Sequence, residues 1–109
     1  MTDGGEQTEY AVVIVLVRES GPVRINAPLP DTGFECLVIP CESKEGMVDL
    51  HQTLLERFRM LMERGIMEMH IDQLQMDVNM KEIKAIWIAV DGKKILHRVL
   101  PGWRIEYDW

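Results

Sequence analysis

The chain has few aromatic residues, few cysteines and no long apolar run, and each shortage excludes a class of protein. Only 6% of its 109 residues are aromatic, and two are cysteines. Two cysteines are too few for a disulfide framework, so we expect Cys36 and Cys41 to be reduced thiols. The longest apolar run, residues 10–17, is far shorter than the roughly 18–20 residues of a membrane-spanning helix. We therefore expect no contact with a membrane.

Basic charge is also in short supply. Twelve lysines and arginines against eighteen acidic residues give a net charge of −6. Because nucleic-acid binding depends on cations that neutralise phosphates, this balance disfavours a nucleic-acid partner. The first ten residues lack the basic start and apolar stretch of a secretory signal, so we expect a cytoplasmic protein. Length and composition predict a flexible acidic tail over 1–8 and a single α+β domain over 9–109.

The sequence offers no motif for a cofactor, a metal or a catalytic group. Neither glycine-rich phosphate-binding pattern occurs. Cys36 and Cys41 are five positions apart, which sends them to opposite faces of a regular strand. The histidines show no paired ligand spacing, so we expect no metal site. We assign no cofactor and no catalytic residue.

The first half of the chain predicts strands followed by a long helix. β-branched residues fill a strand over 10–17, a short strand returns near 23–25, and another strand covers 34–39. An apolar stripe at helical spacing (Met47, Leu50, Leu54, Leu55, Phe58, Leu61 and Met62) predicts a helix over 44–64. Ser43 is suited to cap its start, and Gly65 is suited to end it.

The second half predicts further strands. Residues 66–81 fit a helical and a strand pattern equally well, and we favour a strand over 74–80. Strands over 85–90, 95–100 and 103–109 form a predicted three-stranded antiparallel meander, with a type I′ turn at Asp91-Gly92. The predicted fold is α+β, with one long helix on one face of a mixed or antiparallel sheet. A β-grasp topology, as in ubiquitin-like domains, is one that this order of elements can adopt.

His51 is the polar residue that helical spacing places in the middle of the apolar stripe. We interpret it first as a core histidine bonded to a carbonyl of the sheet. The alternatives are a histidine at the solvent edge of the stripe and a functional histidine. A buried imidazole would make the fold sensitive to pH.

Two features of the sequence indicate a surface for a partner. Met60 is an apolar residue on the polar side of the helix, and methionine suits adaptable binding surfaces. Cations and aromatic residues gather near the end of the chain, where they can anchor a protein partner. This group comprises Lys93, Lys94, Arg98, Trp103, Arg104, Tyr107 and Trp109.

These observations favour a small soluble protein–protein interaction module that binds a protein partner, associates with itself as a homo-oligomer or forms part of a larger assembly. Two alternatives stay open. One is a small enzyme with an active site at a subunit interface. The other is an acidic inhibitor or immunity-type protein that presents carboxylates to a basic partner.

Overall fold

The computed structural model of the protein describes residues 8–17, 24–25 and 35–109, so nearly all of the predicted tail lies outside the described residues. One helix packs against an antiparallel sheet, and the predicted α+β class is confirmed. The elements are β1 (Tyr10–Leu16), β2 (Arg24–Ile25), β3 (Glu35–Cys41), α1 (Lys44–Glu63), β4 (Glu68–Ile71), β5 (Met76–Asn79), a 3₁₀ turn (Met80–Glu82), β6 (Ile83–Val90), β7 (Lys93–Ile95), β8 (His97–Leu100) and β9 (Arg104–Tyr107).

The main sheet has five strands in the order β2-β3-β1-β6-β7. Its central strand, β1, is antiparallel to both β3 and β6, whereas the short β2 is parallel to β3. In a β-grasp fold, β1 is parallel to a neighbouring strand that follows the helix. Here the neighbouring strand that follows the helix is β6, and it is antiparallel to β1, so the chain does not adopt that fold. Every residue from Val12 to Leu16 is at most 3% exposed, as the β-branched run predicted for a strand covered on both faces.

The helix lies on one face of the sheet and ends at both predicted caps. The hydroxyl of Ser43 accepts a hydrogen bond from the Gly46 amide at 3.0 Å. At the other end Gly65 has φ of +71°, and the Ile66 amide bonds back to the Leu61 carbonyl at 2.9 Å. This pattern is a Schellman motif, in which a left-handed glycine closes the helix.

The apolar stripe of α1 packs against the core, with Met47 and Leu54 fully buried and the other members partly buried, except at its end. Met47, His51 and Leu54 are at most 1% exposed, and they face core residues of β1, β3 and β6. Met62 is 56% exposed, so its predicted place in the core is wrong. It lies in the last turn of α1, just before the chain leaves the helix.

The opposite face of the sheet is buried as well. Its side chains form a second apolar cluster, and each is at most 5% exposed: Val13, Val15, Cys36, Val38, Trp87 and Ala89. Cys36 belongs to this cluster, whereas Cys41 packs on the helix side. The two thiols therefore point to opposite faces, as their spacing predicted.

Residues 66–81 form a hairpin of two short strands. β4 pairs antiparallel with β5, and Gln75 in the turn between them has φ of +52°. The predicted strand over 74–80 begins too early, because 72–75 are needed for this turn. β4 was missed, since Met67 and Ile71 fit the helical spacing of the segment.

The predicted meander is divided at Leu96. β6 and β7 pair across a turn in which Asp91 and Gly92 both have positive φ, which confirms the type I′ turn. Beyond Leu96 the chain leaves the main sheet, and β8 pairs with β9 in a separate two-stranded sheet. We call this unit, residues 97–109 with their turn, the ribbon.

Candidate functional site

The ribbon lies along the flank of α1 and is attached to it at three levels. The Lys44 ammonium is 4.1 Å from the ring centre of Trp109, near the start of the helix. The Arg59 guanidinium is 4.3 Å from the ring centre of Trp103, near its end. Lys44 and Arg59 are about 22 Å apart along the helix axis. An extended chain from Trp103 to Trp109 spans about 20 Å, which matches that distance. β9 therefore runs beside α1 in the opposite direction.

The middle attachment joins the ribbon to the buried His51. Nε2 of His51 lies 2.9 Å from the Ile86 carbonyl, and Nδ1 lies 2.8 Å from the Tyr107 hydroxyl. A carbonyl oxygen only accepts, so Nε2 must carry the proton of the neutral imidazole. Nδ1 then accepts from the Tyr107 hydroxyl. His51 is thus a core histidine bonded to a sheet carbonyl, the first of the three interpretations that the sequence left open.

Burial sets the protonation of this cluster. The pKa of His51 is lowered to about 4, mainly by desolvation; the bond to the Ile86 carbonyl opposes the shift, and the nearby His97 adds to it. The ring of His97 stands edge-on to that of His51, with centroids 4.6 Å apart. Burial also raises the pKa of Tyr107, against a hydrogen bond from Gln52. Histidine and tyrosine are therefore both neutral at pH 7.

Trp103 occupies an unfavourable backbone conformation at the tip of the ribbon. Its φ is +60°, a region that costs a residue with a Cβ atom about 1–2 kcal/mol and that glycine adopts freely. Its side chain is nevertheless 46% exposed, so core packing does not account for a large aromatic residue here. Strained residues are concentrated at functional sites, and Trp103 is a candidate anchor for a partner.

β9 has one free edge. The Asp108 amide donates to the Leu96 carbonyl at 2.8 Å, which marks that pair as hydrogen-bonded. Hydrogen-bonded and non-bonded pairs alternate along an antiparallel ladder. Ile105, which faces Val99, is therefore in a non-bonded pair, and its amide and carbonyl point away from β8. Within the described part of the chain, no strand pairs with this edge.

A groove of about 250 Å³ separates β9 from the outward face of α1. Trp103 and Ile105 line its ribbon side; four polar residues line its helix side, namely Asp49, Gln52, Thr53 and Glu56. Among the described residues, no cation lies within ion-pairing distance of Asp49 or Glu56. The groove thus combines an open strand edge, an exposed indole and two carboxylates.

The predicted basic residues lie on two units, the main sheet and the ribbon. Lys94 lies over the Trp87 ring at 5.1 Å, on the sheet face away from α1. Lys93 is its neighbour on β7 and points to the other side. Arg98 is held by Glu106 across the ribbon at 2.7 Å. Arg104 is exposed at the start of β9. By the register of the ladder, Arg98 and Arg104 share one face of the ribbon.

The predicted aromatic row faces α1. Tyr107 bonds to His51, and its ring centre is 5.4 Å from that of Trp109. Trp103 and Trp109 each place one ring face against a helix cation and remain about half exposed. Met60 is 41% exposed and lies one turn beyond Glu56, on the same side of α1 as the groove.

The helix side of the groove was not predicted from the sequence. Asp49, Gln52, Thr53 and Glu56 carry the signature of a solvated helix face, and nothing in their spacing distinguishes them from one. The contribution of Arg59 and Lys44 was missed for a similar reason. Their partners, Trp103 and Trp109, are more than 40 residues away in the chain. Only a structure brings these groups together.

A second cavity, of about 520 Å³, lies at the other end of the ribbon. It is lined by Leu96, His97, Arg98, Glu106, Tyr107 and Asp108. Its two candidate acid–base groups have other partners, because the Tyr107 hydroxyl bonds to His51 and the His97 ring packs on His51. Arg98 and Glu106 also bond to each other. This cavity therefore gives no specific support to the enzyme alternative.

Comparisons with known proteins and searches of the structure add no further site. Among the residues that the structure describes, no group of three metal-ligating side chains converges, and no helix could span a membrane. No protein-family model, no curated protein and no solved structure matches the chain. The groove and the ribbon are therefore the features of this chain that bear on its function.

Proposed function

We propose that this chain is a protein–protein interaction module that binds an extended segment of another protein at the free edge of β9. The observation that carries the proposal is the outward-pointing backbone of Ile105, which borders a groove next to α1. An extended segment can add to such an edge through main-chain hydrogen bonds, and the neighbouring groove then receives its side chains. Edge strands left open in this way are uncommon in monomers unless they are protected.

Exposed apolar side chains around the ribbon support the same function. Leu96, Val99, Trp103 and Trp109 are between 45% and 60% exposed. Met60 and Trp103 stand at one end of the groove, where a tryptophan can supply a large share of the binding energy.

A second copy of the chain is the competing occupant, because its own β9 has the same free edge. Two copies that each carry a net charge of −6 repel each other, which favours a different partner.

The experiment is a selection of displayed random peptides on the immobilised full chain, followed by two variants at one position. Ile105→Pro removes the amide that points to the free edge, and the ladder bonds to β8 remain. Ile105→Ala removes a similar amount of side-chain packing and keeps the amide. We expect selected peptides to bind the native chain and Ile105→Ala, and to lose binding to Ile105→Pro.

Circular dichroism and chemical denaturation check that both variants remain folded. Peptides that bind Ile105→Pro and Ile105→Ala equally well would contradict strand addition. A selection that enriches nothing would contradict the proposed function itself.

A further inference from the structure

From the charges that line the groove, we infer that the bound segment is basic, with arginine or lysine at alternating positions that face α1. This inference rests on the proposed function and names the chemistry of its ligand. Asp49 and Glu56 are two helical turns apart on one side of α1, and their carboxylates line the groove without a described cation beside them.

The spacing of the two carboxylates suits an extended chain. Asp49 and Glu56 are separated by about 10.5 Å along the helix axis. In a strand added to β9, every second side chain faces α1, at intervals of about 6.8 Å. The long, flexible side chains of arginine and lysine cover the remaining difference. Two alternate cations of one segment can therefore reach both carboxylates.

Trp103 adds a second feature that favours a cation. One face of its indole already accepts the Arg59 guanidinium at 4.3 Å, and the side chain remains 46% exposed. Aromatic faces attract arginine and lysine, and the attraction is stronger for arginine because its planar group stacks. An arginine at the end of the segment would extend this stack.

Acidic segments are disfavoured by the same geometry. A glutamate facing α1 would stand close to Asp49 or Glu56 in a groove of limited volume, and like charges brought together at an interface lower the affinity strongly. A second copy would bring another net charge of −6 to this groove, next to carboxylates of the same sign. A basic segment is not repelled by these carboxylates.

The test uses three synthetic peptides of equal length in which valine alternates with arginine, serine or glutamate. Binding to the full chain is measured by isothermal titration at low and at moderate salt. We expect the arginine peptide to bind about tenfold or more tightly than the glutamate peptide. We also expect added salt to reduce this difference.

Matched charge variants locate the effect. The double variant Asp49→Asn with Glu56→Gln should abolish most of the preference for arginine. The double variant Glu42→Gln with Glu45→Gln changes the net charge equally, at exposed positions near the start of α1, and should leave the preference intact. Equal losses in both variants would mean that net charge alone attracts the peptide, which would overturn the inference.

The remaining outcomes separate this inference from the proposed function. The arginine and glutamate peptides could bind equally well, with binding lost only in Ile105→Pro. That result would support strand addition and contradict the inference that the segment is basic. If the arginine peptide binds Ile105→Pro as well as Ile105→Ala, the cations are attracted without strand addition, and both proposals fail. A dimer that Ile105→Pro dissolves and the arginine peptide does not displace would identify a second copy as the occupant.

Discussion

His51 and Tyr107 are joined by a 2.8 Å hydrogen bond that connects the core to the ribbon. The imidazole is fully buried, and the Ile86 carbonyl fixes its tautomer so that Nδ1 can only accept. The ribbon is thereby attached to the protein through a proton that Tyr107 donates. Any change that protonates His51 or removes the hydroxyl acts on this attachment.

Acid should destabilise the fold through His51. Its pKa is about 4 in the folded chain and near 6.5 when unfolded, so the unfolded state binds the proton first as the pH falls. The contribution of neutral His51 to the free energy of unfolding is fully present above pH 6.5 and is lost progressively between pH 6.5 and pH 4. Below pH 4 this group reduces stability no further. From pH 7 to pH 5 we expect a loss of roughly 2 kcal/mol. Urea denaturation at both values measures it.

The control for the pH experiment is His51→Gln, which keeps a polar side chain and does not titrate. His97, whose pKa is also lowered, and the acidic residues titrate in both proteins. The difference between the two proteins therefore isolates His51. If the native chain and His51→Gln lose the same stability between pH 7 and pH 5, His51 is not the group responsible.

Removing the Tyr107 hydroxyl should cost more than removing the Trp109 ring. Tyr107→Phe leaves the buried Nδ1 of His51 without a donor, a loss of about 1–3 kcal/mol. Trp109→Ser removes a side chain that is 54% exposed and stacked on Lys44, for which we expect a loss of less than about 1 kcal/mol. Thermal or urea denaturation ranks the two variants, and the reverse order would show that the hydrogen bond contributes little.

Trp103→Gly should separate binding from stability. The substitution relieves the positive φ, a gain of about 1 kcal/mol, and forfeits the stack on Arg59, a loss of similar size. It also exposes Nε of Arg59, which is buried without a hydrogen-bond partner among the described residues. We expect the free energy of unfolding to change by less than about 1 kcal/mol. Peptide binding should be lost.

Trp87→Phe is the control for that variant, because it changes a tryptophan that lies on the sheet face away from the groove. It should lower stability and leave binding intact. If Trp103→Gly binds the selected peptides as well as the native chain does, Trp103 is not an anchor.

The two cysteines should react with thiol reagents at different rates. Cys36 is 1% exposed in the second apolar cluster, whereas Cys41 is partly exposed at the end of β3. Burial raises the pKa of Cys41, which slows its reaction at neutral pH. We expect Cys41 to be labelled slowly and Cys36 only on unfolding, as followed by mass spectrometry. Rapid labelling of Cys36 in the native protein would show that its face of the sheet opens readily.

Local pattern was sufficient for α1 and β1 but not for the groove. The spacing of Met47 and Leu54 placed His51 in the core, and Ser43 and Gly65 marked the ends of the helix, because these signals lie within a few residues. The spacing of apolar residues in 66–81 fits a helix and a strand equally well, and the turn at Gln75 contains no glycine that would mark it. The bend at Leu96 turns β8 out of the main sheet and decides that Tyr107 meets His51. Such long-range packing leaves no local signal.

The separate ladder of the ribbon has a consequence for hydrogen exchange. Over the described ranges the ribbon shares no strand pairing with the five-stranded sheet, so it can detach from α1 in a sub-global opening that leaves β1, β3 and β6 paired. Its ladder amides, such as that of Glu106, should then exchange at a lower free energy than those of β1. Acid should lower the opening free energy of the ribbon first, after correction for the slower intrinsic exchange at low pH, because its attachment depends on neutral His51. The binding edge of this protein would thus belong to a unit that opens before the main sheet does.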